Sequence, residues 1–325
     1  MRCGCLWAGA SSRAASSVIS TLMFKFVCFL WHIELKKLWV RGYKSLRDVV
    51  VDFPTKMTIV AGPSGSGKTA LTEALGALQA EAGLGGAAVG IEIWDGCRIS
   101  YELSDKKNLM TNCSPKEAEE AVRRFIDRAV IIKDIDWKAV RSLRPAASGE
   151  KLLPDASNFM PFFYSVTGGA VPDWLVEALR YVMPSVSDLK FVVDGGMLLL
   201  KLTTEDGAAM TQGTMPSGVL KTLIIEAALM TQPSAFVVDN FDCGLDPETQ
   251  QFLMDELRSH DVYSIIATNS ETVLDYAKRP QEVVVLRLIN GETKARRLGG
   301  EVEEALKRHK LTLSELIASG FLDPL

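Results

Sequence analysis

A glycine-rich segment constrains this chain more than any other part of its sequence: Gly62-Pro63-Ser64-Gly65-Ser66-Gly67-Lys68-Thr69. The segment fits the pattern G-x-x-x-x-G-K-[ST]. A short, mostly apolar stretch, 57–60, comes before it, and residues 70–75 begin like a helix after it. Strand, glycine loop and helix in this order are the context that the pattern requires. The segment therefore predicts a phosphate-binding P-loop.

The residues of this loop have separate predicted roles. Glycines let backbone N–H groups close around phosphate oxygens, and the helix start adds a partial positive charge. We expect residues 62–69 to bind ATP, with Lys68 at the β- and γ-phosphates and Thr69 on Mg²⁺. The alternative is a plain glycine-rich turn, which would need neither Lys68 nor Thr69.

A second motif lies in the C-terminal half of the chain. Residues 235–238 are apolar and Asp239 follows them, as in a Walker B strand whose acid holds Mg²⁺ beside Thr69. The pattern alone is weak, because many buried strands end in aspartate. Its position after a good P-loop, and Leu245-Asp246-Pro247 behind it, favour the second half of a nucleotide site.

Composition narrows the class of protein. The 325 residues are 47% hydrophobic and 23% charged, which is enough for a large globular domain. A net charge of −4 gives no overall basic field for nucleic acid, and the basic clusters near the C-terminus fit a solvated face better. Six cysteines without a C-x-x-C pair, and three histidines, support neither a zinc site nor a disulfide framework. We therefore expect reduced thiols in a cytoplasmic protein.

The first 31 residues differ from the rest of the chain. Glu34 is the first acidic residue, and the uncharged run from Ala14 to Phe24 is too short to span a membrane. A signal or transit peptide is one alternative. We expect instead an N-terminal extension, residues 1–31, that lies outside the fold, with Met23 as a candidate initiator and no membrane contact.

Apolar periodicity and turn residues predict the other elements. Hairpins are expected around 95–96 and 194–196, and the stretch between about residues 128 and 167 is predicted to be irregular. A helix should begin with Ser114 as N-cap and end near Arg128. Further helices are predicted over 172–183, 217–231, 247–259 and 313–318, and strands over 262–267 and 283–288.

The chain also resembles a known group of ATPases. The opening of ABC-type ATPase heads of the SMC, RecF and OLD group is similar to Ile33-Glu34-Leu35 through Tyr43-Lys44-Ser45-Leu46, followed by Phe53 and Val60-Ala61-Gly62. Small stand-alone ATPases of this group resemble the chain at 153–161, 313–316 and 319–320. The resemblance covers about residues 33–325, and its P-loop and Walker B portions are its specific parts.

The resemblance implies a fold and a signature motif. The fold would be an α/β P-loop NTPase, an ABC-type head over residues 32–325, with an antiparallel β subdomain and an inserted helical lobe at about 105–185. Pro216-Ser217-Gly218 stands where the group has a Ser-Gly helix start. In the group this helix start covers the γ-phosphate of ATP on a partner head, so Ser217 and Gly218 are expected to bind nucleotide across a homodimer. The alternative is a serine that only caps its own helix.

Three positions depart from the pattern of the group. Asn240 stands where a catalytic glutamate is usual, and Asp242 is the nearest substitute. Asn269 stands where a histidine is usual at a strand end. No glutamine lies between Gln79 and Gln212, where the group has one.

These departures weaken the hydrolytic chemistry more than the binding chemistry. We assign Lys68, Asp239, Asn240 and Asp242 to the catalytic set, and we expect slow hydrolysis because general acid–base assistance is worth on the order of 10²–10⁴-fold.

Two function hypotheses follow. The first is an ATPase that binds ATP and Mg²⁺, dimerises through its heads and hydrolyses ATP to ADP and phosphate. The second is a nucleotide-gated regulatory or scaffold protein with little hydrolysis, which Asn240 and Asn269 favour. A role in DNA repair or phage defence, with DNA or a separate effector protein as partner, rests on the resemblance alone. Because the sequence has no long heptad array, chromosome tethering of the SMC kind is disfavoured.

Overall fold

The computed structural model describes residues 33–82, 85–146 and 151–319. The predicted extension, residues 1–31, and Gly320 lie outside the described residues. Within the described ranges, no helix combines the length and the apolar character that crossing a membrane would need. The cytoplasmic location stays a prediction.

The described part of the chain contains strands and helices, often in runs of two or three of one kind. The strands are β1 (Glu34–Tyr43), β2 (Leu46–Asp52), β3 (Met57–Ala61), β4 (Ala88–Trp94), β5 (Arg98–Leu103), β6 (Lys107–Thr111), β7 (Val130–Ile132), β8 (Arg144–Pro145), β9 (Val186–Asp194), β10 (Met197–Thr204), β11 (Ala209–Thr211), β12 (Ala235–Val238), β13 (Tyr263–Thr268), β14 (Val283–Ile289) and β15 (Glu292–Arg297). The helices are α1 (Lys68–Ala80), α2 (Pro115–Asp127), α3 (Trp137–Arg141), α4 (Phe159–Val166), α5 (Asp173–Val182), α6 (Ser217–Leu229), α7 (Pro247–Ser259), α8 (Glu271–Asp275), α9 (Gly300–His309) and α10 (Leu313–Ala318), with a 3₁₀ turn at Pro280–Glu282.

A central sheet positions the predicted site. Its strand order is β15-β14-β3-β13-β12-β7, and all neighbouring pairs are parallel except β14 with β15. Strands β3, β12 and β13 are buried along their whole length, as expected for apolar strands covered on both faces. Parallel strands place their carboxyl ends at one edge, so the segments after β3, β12, β13 and β7 lie there together.

The two faces of the central sheet contribute to two hydrophobic cores. Because side chains alternate along a strand, Ile59 of β3 joins one core and Val60 joins the other, and Val238 and Val237 of β12 divide in the same way. The first core contains side chains from helices α3 to α10 and from β9 and β10. The second lies between the central sheet, α1, α2 and a five-stranded antiparallel sheet in the order β2-β1-β4-β5-β6.

The predicted fold class is confirmed at this level. A mixed α/β sheet carries the P-loop, and a separate antiparallel sheet packs near it. Both predicted hairpins are present, as β4–β5 and β9–β10. The helix predicted from Ser114 forms as α2, although the Ser114 side chain makes no capping hydrogen bond.

The prediction that the stretch between residues 128 and 167 is irregular is wrong. It contains β7, α3, β8 and α4. Strand β7 has only three residues and is held by parallel pairing with β12, which no local pattern reveals. The range 105–185, predicted as a helical lobe, therefore holds β7 of the central sheet besides its helices. The division of the chain into a head with an inserted lobe stays a prediction.

The prediction of reduced thiols is wrong for one pair of cysteines. Cys97, beside the β4–β5 turn, forms a disulfide with Cys113, just before α2. The antiparallel sheet brings the two together across a separation of 16 residues, a spacing that matches no sequence signature. Cys243 is free and exposed.

Candidate functional site

The P-loop connects β3 to α1 and needs glycine at two of its positions. A Cβ atom on Gly62, whose φ is 152°, would lie 2.2 Å from the Leu286 carbonyl oxygen. A Cβ on Gly67, whose φ is 104°, would lie 2.5 Å from the Thr293 hydroxyl. Neither position has room for a side chain, so peptide groups line the loop and form a shallow cradle. We call residues 62–69 the cradle.

Lys68 folds back over the cradle. Its ammonium donates to the carbonyl oxygens of Gly62, at 2.6 Å, and Pro63, at 3.0 Å. Burial lowers the pKa of Lys68, and the carboxylates of Asp239 and Asp242 act in the opposite direction. The structure thus brings the predicted lysine near the two predicted acids, with its charge held by peptide oxygens that a phosphate can replace.

The helix start behind the cradle is open to an anion. Gly67 occupies the N-cap position of α1, no side chain caps the helix, and its first turn holds no acidic residue. Pro63, Ser64, Gly65 and Thr69 are exposed. N–H groups of an uncapped first turn, together with the helix dipole, favour a bound phosphate.

Asp239 lies at the carboxyl end of β12, as predicted. It is 4% exposed, and its N–H donates to the Ile132 carbonyl of β7 at 2.9 Å. One carboxylate oxygen accepts from the Asn240 N–H at 3.0 Å, while the other is buried without a hydrogen-bond partner among the described residues. An orphaned carboxylate oxygen is the kind of hard ligand that Mg²⁺ prefers, so Asp239 and the exposed Thr69 hydroxyl fit the predicted metal ligands.

A tight turn follows Asp239, and we call residues 239–244 the acidic turn. Asn240 is exposed and has a φ of 49°, a left-handed conformation that asparagine tolerates well. Asp242 accepts hydrogen bonds from the Thr268 hydroxyl, at 2.5 Å, and the Asn269 N–H, at 3.2 Å, at the end of β13. Asn240, Asn269 and Asp242 therefore lie at the same edge of the sheet. The two hydrogen bonds hold the Asp242 carboxylate in place.

Ser217 and Gly218 begin α6, and they contact the acidic turn. A Cβ on Gly218 would lie 3.1 Å from the Gly244 carbonyl, and one on Gly244 would lie 3.4 Å from the Ser217 hydroxyl. Pro216 holds the N-cap position and no side chain caps the helix. The alternative in which Ser217 only caps its own helix is therefore wrong. A role of Ser217 and Gly218 toward a partner's nucleotide stays a prediction.

Two residues near the site escaped the sequence prediction. Thr293 of β15 donates from its hydroxyl to the Ser66 carbonyl at 2.9 Å and from its N–H to the Ser45 carbonyl at 2.8 Å, so it supports the cradle from behind. No local pattern could have found it, because Thr293 lies 227 residues after Ser66. Lys221 of α6 donates to three carbonyls of the acidic turn. The sequence offered one signal for Lys221: it lies four residues after Ser217, which puts both residues on the same face of a helix.

One segment of the chain matches a known protein family. The AAA domain family matches residues 37–79, which include most of β1, the cradle and nearly all of α1. Comparison with curated proteins gives no match.

Several solved structures share the fold. The SMC head domain from Thermotoga maritima has a TM-score of 0.52 and 16% identity, over 82% of this chain and 99% of that one. An Smc head from Pyrococcus furiosus, bound to the C-terminal domain of ScpA, gives 0.57 and 13% identity, over 86% and 100%. An SmcHead bound to the C-winged helix domain of ScpA gives 0.57 and 19%, over 84% and 99%.

The chain thus has the fold of an SMC-like ATPase head of the ABC type, as its sequence predicted. At identities this low the likeness concerns the fold, and the AAA match adds the P-loop segment. In general terms, the fold and the P-loop motif are those of P-loop ATPase heads.

Proposed function

We propose that this protein binds Mg-ATP between the cradle and Asp239, hydrolyses it slowly, and closes into a dimer while ATP is bound. The observation that carries the proposal is the enclosed Lys68 ammonium, which lies near Asp239 and donates, among the described residues, to two peptide oxygens that a phosphate can replace. ATP and Mg²⁺ are the ligands that such a pairing of lysine, orphaned carboxylate and uncapped helix start favours.

In this proposal each residue has a defined task. Residues 62–69 bind the phosphates through their N–H groups, and Lys68 moves from its own loop to the terminal phosphates. Thr69 and Asp239 hold Mg²⁺, which neutralises phosphate charge when bound. Asp242, held by Thr268 and Asn269, accepts a proton from the attacking water in place of the missing glutamate, while Asn240 orients that water.

Dimer closure would use the start of α6. Ser217 and Gly218 of one copy would cover the γ-phosphate bound to the other, and such a contact is isologous, so two sites form per dimer. Two of the similar heads were solved with a part of ScpA bound. We therefore include a separate protein partner in the proposal. DNA binding and a role in DNA repair or phage defence rest on resemblance alone.

A second candidate function is a nucleotide-gated scaffold that hydrolyses little or no ATP. Asn240 favours it, because an exposed amide stands at the position of the usual carboxylate. Single-turnover hydrolysis separates the two candidates, since a scaffold would hold ATP intact within the dimer.

Sedimentation velocity at tens of micromolar, with and without Mg²⁺ and a non-hydrolysable ATP analogue, tests the closing step. The parent protein should dimerise only with the analogue. Ser217→Arg should bind the analogue and stay monomeric, because the larger side chain occupies the place of the partner's phosphate. Ser114→Arg is the matched control, because Ser114 also lies at the start of a helix, is exposed, and makes no capping hydrogen bond with its side chain. A parent protein that binds the analogue and remains monomeric contradicts head closure.

A further inference from the structure

Lys221 is a buried cation to which the proposed mechanism gives no role. It is 3% exposed, and its ammonium donates to the carbonyl oxygens of Asn240, at 2.8 Å, Phe241, at 2.9 Å, and Cys243, at 2.9 Å. Burial lowers the pKa of Lys221 to about 8, against the opposing effect of nearby Cys243, Asp242 and Asp239. An ammonium has three donors, so these carbonyls use its whole capacity. The acidic turn is thus fastened to α6 by one side chain.

The same helix face carries the predicted signature residues. Residues four apart lie above one another on a helix, which places Lys221 one turn beyond Ser217. Ser217 and Gly218 contact Gly244, at the far end of the acidic turn. Helix α6 is buried from Val219 to Leu229, so its start moves with the surrounding core and not by itself. Both ends of the acidic turn therefore rest on the first two turns of α6.

The other side of the acidic turn reaches the nucleotide position. The Asn240 N–H donates to the Asp239 carboxylate at 3.0 Å. Phe241 donates from its N–H to the Ala267 carbonyl of β13 at 2.9 Å, two residues before Asn269. A ligand that reorients Asp239 therefore acts on the peptide group directly before the one that joins Asn240 to Phe241, whose carbonyl Lys221 holds.

We propose that Lys221 is a positioning residue that couples the two nucleotide contacts of one chain. Its own Mg-ATP acts on the acidic turn, and the start of α6 contacts the ATP of a second copy. Through Lys221, occupancy of the first site sets the position of Ser217 and Gly218 and so regulates closure onto the second copy. This inference rests on the proposed function, because it requires both an occupied cradle and a dimer.

Removing the ammonium should separate ATP binding from dimerisation. Lys221→Met keeps the length and burial of the side chain but donates nothing to the three carbonyls. ATP affinity, which depends on the cradle, should stay within about twofold of the parent, and ATP-dependent dimerisation should weaken by about tenfold or more, a typical size for coupling between sites. Lys221→Arg retains the donors and should restore most of the dimerisation.

Thr222→Val is the matched control for a change inside α6. Thr222 is fully buried, and its hydroxyl has no hydrogen-bond partner among the described residues. The variant therefore alters the same buried turn of the helix without touching the acidic turn. It should bind ATP and dimerise like the parent.

Calorimetry for ATP and sedimentation for the dimer distinguish the outcomes. If Lys221→Met dimerises with ATP as well as the parent does, or if Thr222→Val loses dimerisation equally, the coupling role is overturned. If the parent itself fails to bind ATP or to dimerise, the proposed function fails and this inference fails with it.

A measurement on the parent protein covers the case in which Lys221→Met does not fold. In the parent, diluted below the concentration at which it dimerises, hydrogen exchange with and without Mg-ATP should show protection of residues 240–243 and 218–222 together. Protection of the acidic turn alone would overturn the coupling, because the start of α6 would then be indifferent to the nucleotide in its own chain.

Discussion

The cradle and the acidic turn are the two halves of the candidate site, and they are built in opposite ways. In the cradle, the Lys68 ammonium donates to two carbonyls of its own loop, and the Ser66 hydroxyl is buried without a partner among the described residues. In the acidic turn, polar groups bond to three neighbouring elements, β7, β13 and α6. In the cradle, Lys68 bonds to its own loop and the Ser66 hydroxyl is open to a ligand, whereas the acidic turn is a joint between elements.

The comparison also separates the residues that fit the pattern of the resembling ATPases from those that depart from it. The unusual residues Asn240 and Asn269 both belong to the edge formed by the acidic turn and the end of β13. The cradle matches the P-loop pattern at every defined position. In the proposed function, a change in the acidic turn would therefore affect hydrolysis more than it affects phosphate binding.

The largest expected effect concerns the helix beneath the acidic turn. Burial, with the nearby Glu256 carboxylate, raises the pKa of Glu226 on α6 to about 8. The folded state then holds a proton that the unfolded state loses near its ordinary pKa of 4.5. Stability should fall as pH rises between these values, with a slope approaching 1.4 kcal/mol per pH unit.

Denaturant unfolding across that pH range measures this slope. Glu226→Gln should remove it, because the amide does not titrate. Glu256→Gln, which leaves the buried carboxyl in place, should change it far less. If the stability of the parent and that of Glu226→Gln depend equally on pH, the Glu226 carboxyl group does not cause the slope.

Next in size is the effect of restoring the missing carboxylate. Asn240→Glu should raise the single-turnover rate of ATP hydrolysis by about 10²-fold, the lower end of what general base catalysis provides. The dimer should also live for a shorter time. Asn240→Gln is the control, because both variants bear the cost of a left-handed backbone, about 1 kcal/mol, and only one has a carboxylate. Equal rates for the two variants would place the base elsewhere.

The smallest expected effect concerns the cradle. Lys68→Ala should weaken ATP binding by at least about tenfold, or about 1.4 kcal/mol, because the loop backbone stays while the cation is lost. Lys138→Ala, at an exposed lysine of α3, should leave the affinity unchanged. Isothermal calorimetry decides this point. An affinity that does not depend on Lys68 would remove the distinction between the two halves, since the cradle would no longer be the binding half.

Local patterns predicted the parts of the site that follow one another in sequence. The cradle and Asp239 each belong to a strand and the loop behind it, and a strand of apolar residues with a loop of fixed composition is visible in one short window. Thr293, Lys221 and β7 were missed because their partners lie far along the chain. Lys221 looks like an ordinary helix residue until the three carbonyls are seen to converge on it.

The support behind the cradle has a consequence for how this chain folds. Gly62 packs against Leu286 of β14, and the Ser66 carbonyl is bonded by Thr293 of β15, so strands near the C-terminal end back a loop near the N-terminal end. Contacts of such long sequence separation form late, since much chain must be closed before they form. A nascent chain whose β15 is still inside the ribosome contains the complete glycine motif, but the Thr293 hydroxyl cannot yet bond to it. The final shape of the cradle thus depends on the chain having been made and folded as far as β15.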